Sequence, residues 1–325
     1  MKFTHRLFSV LFLFSSLVAT HSYAQANYPN RPIRLIIPFT PGGVTDTSGR
    51  FIAGQLSLKL GQQVIADNKP GASGNIGTQM VATAEPDGYT LLLGYAGTLS
   101  INPSLLEKVP FDSVKDFTPI GKIGDAILII VANNDFPGKT LGDVIAISKK
   151  DPNGLSYGTS GSGGTPHIAG ELFKQKTGAN LVHVPYKGGG QALLDLLGGN
   201  IPLVYTAVAG ANQYVNTGRI KAIAVSSAKR SPSMPDVPTF IESGVKDFVI
   251  DDWVGLLAPA KTPKPIVAKL NQALNEILNS PEGKAKLMSM GIFPSSGTPE
   301  KFGEQIKGDL IRFSPIVKAA QIKSE

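Results

Sequence analysis

The sequence predicts an α/β protein of two lobes, joined by a hinge and separated by a cleft. Three observations predict it. Short apolar segments alternate with amphipathic helical ones, the pattern of mainly parallel sheets covered by helices. The chain has 325 residues, enough for about two domains of ordinary size. Two apolar segments, 123–131 and 252–257, stand where a chain would cross between two such units and return.

The elements follow in order. Residues 33–39 read as a strand, Pro41-Gly42-Gly43 as a turn and 45–60 as a helix. Residues 63–66 read as a second strand, and Asn68-Lys69-Pro70-Gly71-Ala72-Ser73-Gly74 leads into a helix ending about residue 84. Residues 90–94 are the third strand. After the apolar 123–131, 141–150 read as a helix, 155–157 as a strand and 166–177 as a helix. Segments 181–184, 190–197, 203–205, 211–217 and 220–225 continue the alternation. A Pro-rich stretch, 231–238, precedes the apolar 252–257, and 264–279, 281–290 and 299–323 read as helices. With both apolar segments crossing, the C-terminal helices return to the first lobe. The expected division is 27–125 plus 254–325 for the first lobe and 126–253 for the second.

The N-terminal 24 residues stand outside that fold. Lys2 and Arg6 precede an apolar run of 13 residues, 7–19, and Ser22-Tyr23-Ala24 offers a small-x-small exit. That is the pattern of a secretory leader. The run is too short to span a bilayer, which needs about 20 residues. Cleavage is expected after Ala24, with Ala26 as the alternative. The product is expected to be a soluble periplasmic protein.

Composition narrows the chemistry. Charged residues at 17% are too few for a disordered or coiled-coil chain. With no Cys there can be no disulfide, no Cys-held zinc or iron–sulfur cluster, no cysteine nucleophile and no lipobox acceptor. Loss of the leader takes two of the 31 basic residues and none of the 24 acidic ones, so the formal charge falls from +7 to +5. The remaining basic residues are dispersed and not interleaved with aromatics, so no nucleic-acid partner is expected. His167 and His183 are the two histidines left. They lie sixteen residues apart without paired carboxylates at helical spacing, so no metal and no cofactor is expected.

Two motifs are decoys. Gly138-Lys139-Thr140 has the ending of a P-loop, but Asn133 stands where its leading Gly belongs. Gly158-Thr159-Ser160-Gly161-Ser162 approaches a nucleophile elbow but ends on Ser instead of Gly. An exported hydrolase using Ser160 or Ser162 with a His stays open as an alternative.

What remains is a set of turns rich in Gly and small hydroxyl residues, each following a strand: 39–46, 95–100, 157–167 and 184–190. Turns at the carboxyl ends of strands are where open α/β folds bind ligands. Gly lets the backbone approach closely, free N–H groups at a helix start point outward, and the helix dipole favours an anion. Gly-rich turns also exist simply to close α/β units. The candidates are Thr40, Gly42, Gly43 and Asp46 in the first turn, and Tyr95 and Thr98 in the second. Ser160, Ser162, Gly163, Thr165 and His167 belong to the third, and Thr206 follows a later strand. Asp46 could bond a hinge, cap its helix or bind a ligand. His167 could contact ligand or merely cap. His183 reads as a packed structural residue, and Asp251-Asp252-Trp253 as the mark of the crossover.

The chain resembles the Bug family of extracytoplasmic solute receptors, the binding components of tripartite tricarboxylate transporters. The likeness rests on Tyr28-Pro29 through Pro32-Ile33, Pro38-Phe39 with Pro41-Gly42-Gly43 and Asp46, and the stretch from Asn68 to Gly77. Asp87-Gly88-Tyr89-Thr90-Leu91, Phe111-Asp112, Lys115-Asp116-Phe117 and His167 with Glu171-Leu172-Phe173 extend it. His183-Val184-Pro185-Tyr186-Lys187-Gly188, Asp195-Leu196-Leu197-Gly198-Gly199, Pro235-Asp236-Val237-Pro238-Thr239 and Trp253-Val254-Gly255-Leu256 with Ala258-Pro259 complete it. The resemblance implies a two-lobed type II periplasmic-binding fold that closes on a small ligand, usually a carboxylate. It implies that backbone amides and ordered water hold one carboxylate in two turns, here 40–46 and 160–167. Gly49-Arg50 departs from the usual Ala-Arg, and Tyr205-Thr206-Ala207-Val208 lacks the Asp that often follows that strand.

The resulting expectation is a monomeric periplasmic binding protein without catalysis. It takes a small-molecule carboxylate and meets membrane transporter subunits. A periplasmic sensor using the same cleft is the alternative.

Overall fold

The structure is a computed structural model, and it describes residues 28–39, 41, 44–186 and 188–320. The expected leader lies outside the described residues.

The first unit runs β1 (Ile33–Ile37), α1 (Val44–Leu60), β2 (Val64–Asn68), a 3₁₀ turn (Ala72–Gly74), α2 (Asn75–Ala82) and β3 (Thr90–Tyr95). A π-helical turn (Gly97–Ile101) and the short α3 (Asn102–Leu105) lead to the long β4 (Phe117–Ala132). The second unit runs α4 (Leu141–Lys150), β5 (Leu155–Thr159), α5 (Thr165–Thr177), β6 (Leu181–Pro185), α6 (Gly189–Leu197), β7 (Leu203–Ala207), α7 (Val208–Asn216) and β8 (Lys221–Val225). The chain returns through β9 (Asp251–Pro259), α8 (Lys264–Asn279), α9 (Pro281–Ser289), β10 (Ile292–Pro294) and α10 (Pro299–Ala320).

The ten strands follow the order β2-β1-β3-β9-β4-β7-β5-β6, with β8 and β10 also paired to β4. β1, β2 and β3 are parallel, and β9 joins β3 antiparallel. β5 is parallel to both β6 and β7. β4 belongs to both halves. Its residues up to Ile127 pair with β9, and from Leu128 onward it pairs with β7. The fold is therefore the expected two-lobed α/β arrangement, with β4 carrying the ladder from one sheet to the other.

Side-chain parity explains the layers. Ile33, Leu35 and Ile37 of β1 pack with Ile52 and Leu56 of α1 and with Leu270 and Leu274 of α8. Ile36 faces the other way, onto Leu92, Trp253 and Phe302. Successive strand residues point to opposite faces, so a strand covered on both sides reads as a continuous apolar run. Helix α4 starts on a capping box, in which Thr140 and Asp143 satisfy each other's backbone N–H groups. Helix α10 serves both lobes. Phe302 and Ile306 enter the core of the first, and Phe313, Ile316 and Val317 that of the second.

One strand is longer than its sequence suggests. The apolar segment 123–131 extends back to Phe117 through Pro119 and Gly121. These residues look like breakers, but the register shifts between Pro119 and Gly121 and again between Lys122 and Gly124. Bulges of this kind admit Pro and Gly inside a paired strand. Gly124 is also required by its neighbour, since a Cβ there would stand 2.3 Å from the Phe293 carbonyl oxygen. β10 and α3 carried no periodic signal of their own.

Candidate functional site

The first candidate turn links β1 to α1. Thr40, Gly42 and Gly43 lie outside the described residues. Asp46 sits in the first turn of α1, where the helix dipole favours a carboxylate. It is 3% exposed. It accepts from Arg50 Nε at 3.1 Å and from Asn68 Nδ2 at 2.8 Å. Asn68 Nδ2 also reaches the Phe39 carbonyl at 2.9 Å. Asp46 thus fastens the start of α1 to the ends of β1 and β2.

The turn after β2 supports the second candidate turn. Gly71, Ala72, Ser73 and Gly74 all have positive φ, from 46° to 130°. Non-Gly residues adopt that region uncommonly, so the segment needs anchoring. The Ser73 carbonyl accepts Thr98 Oγ1 at 2.9 Å and Asn102 Nδ2 at 3.1 Å. The hydroxyl of candidate Thr98 is therefore engaged in holding a neighbouring turn. Tyr95 closes β3, with the Phe39 ring edge-on at 5.4 Å.

The third turn runs from Thr159 to the start of α5. Ser160 is exposed and Ser162 half-buried. Neither hydroxyl bonds to another described residue. Gly161 and Gly163 take φ of 136° and 74°. No side chain caps α5, whose N-cap is Gly164. The first-turn N–H groups therefore gain no internal acceptor from a cap.

Two stacked histidines hold this turn from behind. The rings of His167 and His183 lie 3.6 Å apart and nearly parallel. His167 Nδ1 accepts the Gly163 N–H at 3.0 Å. His183 Nε2 lies 2.7 Å from Thr159 Oγ1, which in turn donates to the Gly161 carbonyl at 3.0 Å. Burial lowers the pKa of His167 to about 4. Burial and the facing His167 lower that of His183 to about 3. Both rings are neutral at pH 7, as the Nδ1 acceptor requires. Behind them Tyr157 donates to Glu171 at 3.0 Å, and Lys174 pairs with the same carboxylate at 3.0 Å.

The second and third turns meet at Asp252 on β9. Tyr95 donates to its Oδ2, and Thr165 Oγ1 donates to its Oδ1 at 2.8 Å. Burial, with the Asp252 charge beside it, pushes the Tyr95 phenol well above its usual range. The sequence marked Asp252 only as part of the crossover. Its partners are 157 and 87 residues away, so no local pattern could reveal them. Thr206 stands apart from this cluster. Its hydroxyl lies where a Cβ on Gly189 would approach to 3.1 Å, at the start of α6.

Among the described residues no group of three His, Asp or Glu is arranged to hold a metal ion. Nor is any helix among them long and apolar enough to cross a membrane. A separate cavity of about 740 Å³ lies between β4, α8 and α10, with Phe117, Val267 and Ile306 in its wall. None of the candidate residues lines it.

Comparison with known proteins places these turns in context. A family model described as the tripartite tricarboxylate transporter family receptor matches residues 49–322. Protein BugT of Bordetella pertussis is 34% identical, over 98% of this chain and 98% of that protein. The solved structure of R. palustris Rpa4515 with adipate matches at a TM-score of 0.82 and 34% identity, covering 91% of this chain and 99% of that one. MatC (Rpa3494) from Rhodopseudomonas palustris with bound malate matches at 0.78 and 30% identity, covering 89% and 100%.

Proposed function

The chain belongs to the tripartite tricarboxylate transporter receptor family, and from that premise we propose that it captures a small organic carboxylate between its lobes for delivery to a membrane transporter. The observation that carries the reading is the match, over about nine-tenths of the chain, to relatives holding adipate and malate. The geometry supports it. The start of α5, which no side chain caps, and the hydroxyls of Ser160 and Ser162, which bond to no other described residue, are donors that suit an anion. Ligand bridging this turn and the one before α1 would shift an open–closed equilibrium. The hinge falls where β4 changes partner, close to the division at residues 125 and 126.

Capture proceeds without chemistry. A serine hydrolase needs a base within hydrogen-bond reach of its nucleophile. His167 Nδ1 is committed to Gly163, and His183 Nε2 to Thr159. The protein acts as a monomer in the periplasm, exported by the leader of residues 1–24.

A thermal-shift screen of mono-, di- and tricarboxylates tests the reading. At about 100 times its Kd a ligand adds about 2.7 kcal/mol to stability, so a true ligand raises Tm by several degrees. Chromatography of the recovered ligand should show it unchanged. Failure of every carboxylate to raise Tm would refute the substrate class.

A further inference from the structure

We propose that Asp252 is a positioning residue for ligand capture, joining the turn at the end of β3 to the turn that opens α5. The inference rests on capture between the lobes, as argued above. Asp252 lies opposite Ala126 on β4, one pair before the ladder to β9 ends. It is 5% exposed, and each carboxylate oxygen accepts one hydroxyl. Tyr95 comes from the first sheet and Thr165 from the second lobe's α5. A single rigid carboxylate therefore sets the distance between two candidate turns on opposite sides of the cleft.

The surroundings leave the arrangement little freedom. Thr165 is fully buried, and its hydroxyl goes to Asp252 instead of capping its own helix. A Cβ on Gly97 would lie 2.8 Å from the Tyr95 ring and 3.8 Å from Thr165 Oγ1, so little space separates the two turns there. A buried carboxylate that loses a donor is costly, because desolvation is no longer offset. The Thr165 bond anchors the start of α5 at the crossover, opposite Ala126, where Tyr95 of the first lobe meets the same carboxylate. It is complete only when the start of α5 is seated against β9. The bond thereby raises the population of the capture-competent arrangement before ligand arrives, and apparent affinity scales with that population.

Thr165→Val keeps the shape and removes the hydroxyl, whereas Thr165→Ser keeps the hydroxyl and removes a methyl. The probes are adipate and malate, titrated calorimetrically. Thr165→Val is expected to weaken binding of the recognised probe at least tenfold, and Thr165→Ser less than threefold. Tyr95→Phe tests the opposite side of the same carboxylate and should weaken binding in the same way. In ligand-free protein, small-angle scattering should give a larger radius of gyration for Thr165→Val and Asp252→Asn than for wild type. Wild-type affinity in Thr165→Val, or equal losses in Val and Ser, would overturn the proposal in favour of simple packing. Should neither probe bind wild type, the capture reading loses its support with these ligands. The scattering comparison still decides the role of Asp252, and an unchanged radius in both variants overturns it.

Discussion

Acidification from pH 6.5 to pH 4 is expected to cost the fold a few kcal/mol through His167 and His183. In the unfolded chain each imidazole binds a proton below about pH 6.5. In the fold, His167 resists until about pH 4 and His183 until about pH 3, chiefly because His167 is buried and His183 partly so. Between these values the unfolded state holds more protons than the folded one, so stability falls as pH falls. For His167 the slope approaches about 1.4 kcal/mol per pH unit. The half-buried His183 contributes less, because solvent screens it. Above pH 6.5 both contributions are fully present, and below the folded values the curve levels. Protonation at Nδ1 would also set an N–H against the Gly163 N–H, so the candidate turn should loosen with it. Urea midpoints measured from pH 7.5 to 4 test this. His167→Gln with His183→Gln should flatten the profile, and an equally steep profile in that variant would show that other groups are responsible.

Gly163→Ala should damage both stability and binding. Its φ of 74° lies in the left-handed region, where a Cβ costs about 1–2 kcal/mol. The new methyl would also stand 2.0 Å from Leu105 Cδ2 on α3. Leu105 packs against the second lobe's core, so turning it aside adds about 1–3 kcal/mol of overpacking. The backbone cannot shift freely either, because the Gly163 N–H is fixed by His167. We expect Tm to fall by several degrees and carboxylate affinity by more than tenfold. Calorimetry and thermal denaturation of the variant would show it, and wild-type values in both would mean that the turn adapts at no cost.

The parts of the fold that were legible in sequence are those written in local patterns. Ile33, Leu35, Ile36 and Ile37 form an apolar run because helices cover both faces of β1. The Gly residues at 161 and 163 mark a turn because the chain needs positive φ there. The start of β4 was hidden because Pro119 and Gly121 imitate a loop, and only the bulged pairing with β9 reconciles them with a strand. At the candidate site the residue types were legible, but their engagements were not. Thr98 was picked for its hydroxyl, which Ser73 uses. His167 was left between two roles, and its Nδ1 proves to hold the turn of Gly163. Asp252 was passed over because its meaning depends on Tyr95 and Thr165, which only the tertiary arrangement brings together.

The passage of β4 and α10 through both lobes bears on how the protein comes apart. Ile120 and Ile123 of β4 lie in the first core, while Leu128 and Ile130 of the same strand lie in the second. Helix α10 repeats this from the outside, with Phe302 in one core and Phe313 in the other. Melting either lobe would strip a strand and a helix from its neighbour. The lobes are thus not independent folding units, and the chain should lose its structure in one cooperative step. A lesion in the wall of one lobe would be felt as lost stability in the other.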